Sequence, residues 1–233
     1  MSKAIGVIPA RLHSTRFPKK ILHLIEGKPM VVQVYERAKK AKLLEDVIIA
    51  IDSTETELAL KPFKVKTVMT SDKHISGTDR IQEATQEIEV DIIVNIQGDE
   101  PMLDPELIDN LVDELSDTHI ELATVAGMKL DAKNLNDTNT VKVLLDRDGF
   151  AVNFRREPVK AEAGGYYHHM GIYAYKKATL ERFVKLEVSE NEKELKLEQY
   201  RALDNNIPIK VILTEKVFKG IDTMDDLKQF KAE

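Results

Sequence analysis

A cluster of basic and hydroxyl side chains follows the first apolar run of the chain, residues 3–8. Its members are Arg11, Ser14, Thr15, Arg16, Lys19 and Lys20. Arginine presents a fork of donors to phosphate oxygens and lysine a compact charge, so this segment could bind the triphosphate of a nucleotide. The glycine-rich pattern of a P-loop is absent from the sequence of this segment. A solvated basic turn is the alternative interpretation.

Two adjacent carboxylates, Asp99 and Glu100, follow the apolar run DIIVNI at residues 91–96. A magnesium ion takes one or two carboxylates together with phosphate oxygens, so an acidic turn that faces a basic loop favours a metal–nucleotide complex between them. The alternative is a turn whose acids cap the next helix. Successive side chains of an extended segment point in opposite directions, and the two acids are therefore not expected to face the same metal.

Two further motifs have both a functional and a structural interpretation. SGTDR, residues 76–80, could present N–H groups and hydroxyls at the positive end of a helix to a base or a phosphate, or Thr78 could be a plain N-cap. GIDTMDDL, residues 220–227, places Asp222 after an expected strand and turn, with Thr223 as the alternative helix cap.

Composition restricts the class of protein. The chain has 233 residues, a net charge of −6 and no cysteine. The acidic balance argues against a nucleic-acid or membrane-surface binder, and the lack of cysteine excludes disulfides, thiolate catalysis and Cys-type zinc sites. No apolar run approaches the roughly 20 residues of a membrane span, and the N-terminus lacks a secretory apolar region. We expect a cytoplasmic protein with neither nucleic-acid nor membrane partners.

Apolar runs and helical spacing alternate along the first half of the chain. The expected strands are 3–8, 46–51, 64–69 and 91–96, and the expected helices begin near 30, 54, 78 and 105. Such alternation predicts an α/β fold with a mostly parallel sheet and helices on both faces. Ligands of such sheets bind beyond the carboxyl ends of the strands, which is where the basic and acidic motifs lie.

The second half is less regular. Strand patterns occupy 121–130, 139–146, 150–154, 169–176 and 207–213, and helices are expected at 177–186, 190–204 and 225–231. The first four strands follow one another without long helices, which predicts a smaller mixed or antiparallel portion that serves as a dimerisation or lid element. We expect a single domain over residues 1–233 that contains this portion.

Eight motifs in order, from residue 8 to about 227, carry a family resemblance. They are IPARLHSTRFPKKIL, GKPMVVQVYERA, SGTDRI, IVNIQGDEP, NTVKVLLD, HMGIYAY, LEQYRAL and GIDTMDDL. Together they resemble the 3-deoxy-manno-octulosonate cytidylyltransferases, or CMP-Kdo synthetases. The resemblance implies transfer of CMP from CTP to the anomeric hydroxyl of the sugar acid Kdo, release of pyrophosphate, a need for Mg²⁺ and a place in lipopolysaccharide biosynthesis. It also implies a Rossmann-like nucleotide-binding sheet, with 130–176 as a sugar-binding and dimerisation subregion of a homodimer.

The resemblance also implies roles for matching residues. Those implied for CTP binding are Arg11, Ser14, Arg16, Lys20, Ser76, Arg80 and Gln97. Those implied for the sugar acid, a 2-keto-3-deoxy acid, are Arg156 for its carboxylate and His169, Tyr173, Glu198 and Gln199 for its hydroxyls. The implied magnesium ligands are Asp99 and Asp222, which form the catalytic set with Arg11, Arg16 and Lys20. No side-chain nucleophile is required, because such a transfer depends on positioning and charge neutralisation.

Three departures from the family pattern lie on the sugar side. Arg155 stands where serine is usual, Tyr200 where leucine is usual, and the segment between Arg156 and His169 is short. An extra arginine and a trimmed loop could adapt the site to a modified acid such as 8-amino-Kdo, or to a sialic-type acid. A catalytically silent protein that binds a nucleotide sugar is the other alternative.

Overall fold

The structure is a computed structural model that describes residues 2–13, 17–128, 130, 132–159, 165–218 and 220–230. Its strands are β1 Ala4–Ala10, β2 Leu24–Ile25, β3 Lys28–Pro29, β4 Asp46–Ile51, β5 Thr67–Met69, β6 Ile92–Asn95, β7 Leu122–Gly127, β8 Lys142–Leu145, β9 Ala151–Arg155, β10 Tyr166–Lys176 and β11 Lys210–Thr214. Its α-helices are α1 Met30–Ala38, α2 Thr54–Leu60, α3 Gly77–Thr85, α4 Pro105–Glu114, α5 Ala132–Asn136, α6 Lys177–Phe183, α7 Glu190–Leu195, α8 Gln199–Asp204 and α9 Met224–Phe230.

The central sheet has the strand order β11-β7-β10-β6-β1-β4-β5. Strand β1 lies between β4 and β6 and is parallel to both, and β4 is parallel to β5. Strands β1, β4 and β6 are almost wholly buried, because their apolar residues run continuously, as strands covered on both faces require. The parallel sheet predicted from the first half of the chain is confirmed.

Helices cover both faces of this sheet. Ala4 and Ile8 of β1 belong to the core that α1 and α4 close, whereas Ile5 and Val7 belong to the core that α3, α6 and α8 close. Neighbouring residues of β1 thus serve opposite faces, as the pleat of a strand dictates. No helix in the described part of the chain is long and apolar enough to cross a membrane.

Strand β10 makes the sheet mixed. It is antiparallel to β6 and β7, and its first residues pair with β8, which in turn pairs with β9. Its register shifts between Met170 and Tyr173, and the Thr124 hydroxyl donates to the carbonyl oxygen of Ile172 at 2.8 Å inside this bulge. The bulge lies against the cleft side of the sheet, since a Cβ on Gly171 would lie 3.7 Å from Gln97 Cγ.

Several predicted elements differ in extent from the observed ones, two of them because of a lysine in the left-handed conformation. The helix expected over 190–204 is divided into α7 and α8, because Lys196 takes the left-handed conformation at φ 54° and ends α7. The strand expected over 64–69 begins only at Thr67, since Lys64 is also left-handed, at φ 53°, and ends a 3-10 turn. The first break places the LEQYR motif at the start of a separate short helix.

Candidate active site

A cleft of about 320 Å³ opens beyond the carboxyl ends of β1 and β6. The residues singled out in the sequence that line it are Arg11, Lys20, Ser76, Arg80, Gln97, Asp99 and Asp222. They come from the loops after β1 and β6, the SGTDR turn and the segment before α9. Ser14 and Arg16 lie outside the described residues. The fold therefore brings together motifs that are far apart in the sequence.

One ammonium group lies between two carboxylates in this cleft. Lys20 Nζ donates to Asp99 Oδ2 and, at 3.0 Å, to Asp222 Oδ1. Burial of the Lys20 side chain, which is 15 % exposed, would lower its pKa, but the two carboxylates outweigh burial and the pKa is raised. Lys20 is therefore protonated at neutral pH and supplies positive charge at this point.

A backbone hydrogen bond brings the two acids together. The N–H of Ile221 donates to the carbonyl oxygen of Asp99 at 2.9 Å, so the segment before α9 lies along the turn after β6. Thr223 then caps α9, because its Oγ1 accepts a hydrogen bond from the N–H of Asp226 at 3.1 Å. The position of Asp222 is thus fixed by its two neighbours, since Ile221 bonds to the backbone of Asp99 and Thr223 caps α9.

Asp99 and Asp222 fit a divalent cation. One oxygen of each carboxylate contacts the same ammonium group, that of Lys20. This group supplies to the two carboxylates the positive charge that a metal ion would supply. Over the residues that the structure describes, no cluster of three or more His, Cys, Asp or Glu side chains is placed to hold a metal ion. A pair of carboxylates matches Mg²⁺, which takes few protein ligands and completes its coordination with water and substrate phosphates.

Glu100 is enclosed beside these acids. Its side chain is buried, and its Oε2 atom has no hydrogen-bond partner among the described residues. Burial, and then the charges of Asp99 and Asp222, raise the pKa of Glu100 to about 8. Because Asp99 lines the cleft while Glu100 is enclosed, the two neighbours occupy different environments, as predicted, although they lie in a turn after β6 and not on an extended segment.

The SGTDR turn links the cleft to the LEQYR motif. Ser76 is the N-cap of α3 and accepts a hydrogen bond from the N–H of Asp79 at 3.1 Å. The prediction that Thr78 is the cap is wrong, because the Thr78 hydroxyl donates instead to Glu198 Oε2 at 2.6 Å. The start of α3 therefore contacts both the cleft and the residues implied for the sugar acid.

Arg80 supports the wall of the cleft. Its side chain is 3 % exposed and donates to Thr70 Oγ1 at 2.6 Å and to Asp52 Oδ2 at 3.2 Å. Asp52 also accepts the N–H of Leu12 at 2.9 Å. Arg80 thereby connects α3 to β4 and to the loop after β1, and its direct contact with CTP stays a prediction.

His169 of β10 is a buried, neutral imidazole. Its Nε2 lies 3.1 Å from the Thr124 hydroxyl. Its ring packs edge-on against Phe154 with centroids 5.0 Å apart and lies 5.5 Å from the ring of Tyr173. Burial above all lowers the pKa of His169 from 6.5 to about 3, so the side chain carries no charge at physiological pH.

A small cavity of about 40 Å³ lies between β10 and α8. Tyr173, Glu198 and Gln199, three of the residues implied for the sugar acid, line it. Burial raises the pKa of Glu198, and its Oε1 atom is buried with no hydrogen-bond partner in the part of the chain that the structure describes. Arg201 Nη2 lies 3.6 Å from that atom, too far for a good hydrogen bond. Oε1 is a candidate acceptor for a ligand hydroxyl.

Arg156 lies at the edge of this region. Its Nη1 donates to the carbonyl oxygen of Asn139 at 3.4 Å, and its own carbonyl oxygen accepts from Lys142 Nζ at 2.8 Å. Lys142 is fully buried and also donates to the carbonyl oxygen of Asp137 at 2.6 Å. Arg156 is not among the described residues that line the cleft or the small cavity. Arg156 thus lies outside both cavities, although its charge reaches His169 and contributes to the lowered pKa of that imidazole.

Comparison with known proteins decides the family. A family model described as cytidylyltransferase matches residues 5–214. The chain belongs to the cytidylyltransferase family. A protein of Chloroherpeton thalassium named 3-deoxy-manno-octulosonate cytidylyltransferase is 40% identical over 238 residues, which cover 99% of this chain and 97% of that protein. A protein of the same name from Thermodesulfovibrio yellowstonii is 40% identical over 242 residues, which cover 96% of this chain and 95% of that protein.

A solved structure supports the same assignment. It is described as CMP:2-keto-3-deoxy-manno-octonic acid synthetase complexed with CTP, and it matches this cytidylyltransferase with a TM-score of 0.93 at 37% identity. The match covers 99% of this chain and 98% of that chain. The predicted enzyme class, a CTP-using nucleotidyltransferase, and the predicted α/β fold are confirmed.

Several supporting residues of the cytidylyltransferase site were not singled out from its sequence. Thr124 bonds to His169, Asp52 to Arg80, and Lys142 to the backbone of Arg156. The sequence contains a signal for two of them. Lys142 is a charged residue within an expected strand, and Asp52 is a charged residue directly after an apolar strand. Thr124 leaves none, because threonine is common in strands for its β-branched shape alone.

Proposed function

We propose that this cytidylyltransferase transfers CMP from CTP to the anomeric hydroxyl of 3-deoxy-manno-octulosonate (Kdo) and releases pyrophosphate. One observation carries the proposal: Lys20, Asp99 and Asp222 meet in the cleft beyond the carboxyl ends of β1 and β6. A cation and two carboxylates at one point suit a magnesium–triphosphate complex. The relatives named above carry the Kdo name, which favours Kdo over 8-amino-Kdo or a sialic-type acid as the acceptor.

The transfer forms one bond and breaks one. The oxygen of the anomeric hydroxyl attacks the α-phosphorus of CTP, the bond from that phosphorus to the bridging oxygen breaks, and pyrophosphate leaves with the electron pair. The hydroxyl proton passes to solvent. Such a reaction needs positioning and neutralisation of charge rather than a protein nucleophile. Mg²⁺, which Asp99 and Asp222 would hold, supplies charge neutralisation and lowers the pKa of a bound hydroxyl.

The residues of the cleft divide into phosphate contacts and base contacts. Arg11, Arg16 and Lys20 bind the phosphates through their positive charge and multiple donors. Ser76 and Gln97 contact the cytosine, whose edge presents both donors and acceptors to a hydroxyl and an amide. Gln97 is already oriented, because its Nε2 donates to Asn95 Oδ1 at 3.1 Å.

The residues around β10 and α8 bind the sugar acid. A neutral imidazole donates with one nitrogen and accepts with the other, so His169 is suited to an uncharged hydroxyl. Tyr173 and Gln199 contact further hydroxyls, and Glu198 accepts one through Oε1. Arg156, a charged side chain at the edge of this region, binds the carboxylate.

Two broader proposals rest on the family resemblance of the motifs, and a third, the location in the cytoplasm, rests on the composition of the sequence. The enzyme works as a homodimer, and residues 130–176 form its sugar-binding and dimerisation subregion. It acts in the cytoplasm. Its product supplies lipopolysaccharide biosynthesis.

Release of pyrophosphate tests the proposed function. We expect the purified chain to release pyrophosphate when CTP, Kdo and Mg²⁺ are present together, and to release none when any one of them is omitted. A folded chain, checked by circular dichroism, that releases no pyrophosphate with all three overturns the proposal. Binding of CTP without turnover would instead identify a silent nucleotide-sugar binding protein.

A further inference from the structure

The hydroxyl of Tyr200 bonds to both backbone groups of one strand residue. It donates to the carbonyl oxygen of Phe154 at 2.7 Å and accepts from the N–H of Phe154 at 3.3 Å. Strand β9, which contains Phe154, pairs with β8 through Val143. The N–H and C=O of a strand residue point to the same side, so the Tyr200 hydroxyl does for β9 here what a second neighbouring strand would do.

Phe154 connects this hydrogen bond to two residues of the proposed sugar site. Its side chain is fully buried, and its ring packs edge-on against His169 at 5.0 Å. Two residues further on is Arg156, whose backbone is held by the buried Lys142. A shift of β9 at Phe154 would therefore move the imidazole's packing partner and the chain that leads to the arginine.

Tyr200 also adjoins the other half of that site. It follows Glu198 and Gln199 directly in the chain and is buried at the start of α8. Its ring belongs to the same core as Phe154 and Tyr175. The Tyr200 hydroxyl therefore joins α8, at whose start Glu198 and Gln199 lie, to β9, which directly precedes Arg156.

We propose that Tyr200 is a positioning residue for the sugar acid, whose hydroxyl holds β9 and α8 at the spacing that sugar binding requires. The proposal rests on the function proposed above and deepens it. Removal of the hydroxyl leaves two buried backbone groups of Phe154 without their partner, which favours local separation of β9 from α8. The CTP cleft contains neither element, so the effect falls mainly on the sugar acid, and the bond from Thr78 to Glu198 is a contact by which α8 reaches the turn that lines the cleft.

Steady-state kinetics of Tyr200→Phe test the proposal. We expect the KM for Kdo to rise by about fivefold to twentyfold, while the KM for CTP stays within about twofold of wild type. Tyr35→Phe is the matched control, because Tyr35 lies on α1 and packs against the core on the opposite face of the sheet. We expect Tyr35→Phe to leave both KM values unchanged.

The possible outcomes separate this proposal from the proposed function. An unchanged KM for Kdo in Tyr200→Phe, or equal rises in both KM values, overturns the positioning role while the wild-type activity stands. A wild-type chain inactive with Kdo overturns the proposed function instead. If Tyr200→Phe does not fold, hydrogen exchange of the wild-type protein decides: a slow Phe154 amide supports the proposal, and an amide that exchanges as fast as an exposed edge residue overturns it.

Discussion

The ammonium nitrogen of Lys20 lies 3.0 Å from a carboxylate oxygen of Asp222, although 202 residues separate the two in the chain. The same nitrogen contacts Asp99. These contacts keep one ammonium group and two carboxylates together, so this part of the cleft is organised before any ligand arrives. In this arrangement the two carboxylates are available to the magnesium ion of a magnesium–triphosphate complex, and the ammonium group is available to its phosphates.

Replacement of Lys20 tests its role at the phosphates. We expect Lys20→Met to lower kcat/KM for CTP by about 100-fold, because the charge that faces the triphosphate is lost from a partly buried site. Lys20→Arg, which keeps the charge, is the matched control and retains more activity than Lys20→Met. A Lys20→Met enzyme within about twofold of wild type would place Lys20 outside the phosphate site.

Replacement of Asp99 tests the proposed metal site. We expect Asp99→Asn to lower kcat by at least about 100-fold and to raise the Mg²⁺ concentration needed for half-maximal activity, since an amide is a weaker ligand than a carboxylate. The control is Asp113→Asn, an exposed acid of α4. Near-normal kcat in Asp99→Asn would make Asp99 a turn residue only.

Separate removal of the two adjacent arginines tests which one meets the sugar carboxylate. We expect Arg156→Ala to raise the KM for Kdo by at least about tenfold with little change for CTP, because a charge-assisted contact to one substrate is lost. Arg155, whose Nε lies 3.6 Å from a Glu157 oxygen, is the comparison. A larger effect of Arg155→Ala than of Arg156→Ala would reverse the assignment, and equal effects of Arg156→Ala on both substrates would remove Arg156 from the sugar site.

The buried His169 predicts how stability changes with pH. Burial, then His168 and Arg156, lower the folded-state pKa of His169 to about 3, below the unfolded value of 6.5. Between these values the unfolded chain binds a proton that the folded chain excludes, so this group destabilises the fold progressively as pH falls below 6.5. The effect approaches about 1.4 kcal/mol per pH unit, or about 2 kcal/mol at pH 5.

Denaturant unfolding of His169→Gln at pH 7.5 and pH 5 measures this effect. Because glutamine does not titrate, we expect the wild type to lose about 2 kcal/mol more unfolding free energy than the variant between the two pH values. His119→Gln, at an exposed position, is the control and tracks the wild type. Parallel losses in wild type and His169→Gln would show that His169 takes up its proton equally in both states.

The parallel sheet could be predicted because its information is local. Continuous apolar runs such as DVIIAI and DIIVNI contain their own evidence of burial on both faces, and the helices between them keep helical spacing. The topology of a parallel sheet also predicts that the ligand binds beyond the carboxyl ends of the strands. The pairing of Asp99 with Asp222 needed the family resemblance, since no local pattern relates residues so far apart.

Other features of the site depend on tertiary contacts that no local pattern contains. Thr78 was expected to cap α3, but Ser76 takes that place and Thr78 bonds to Glu198. The break between α7 and α8 arises from a lysine, Lys196, in a left-handed conformation, which glycine or asparagine would have signalled. Tyr200 appeared as a departure from a family pattern, and only the fold gives its hydroxyl two partners.

The fate of the α-phosphorus tests the central claim most directly. With CTP labelled at that atom, Kdo and Mg²⁺, we expect the label to appear in a product whose mass is that of CMP joined to Kdo, while CTP labelled at the γ-phosphorus gives labelled pyrophosphate. Recovery of the α-label only as free CMP or as unreacted CTP, from a chain shown to be folded, would contradict transfer of CMP to Kdo.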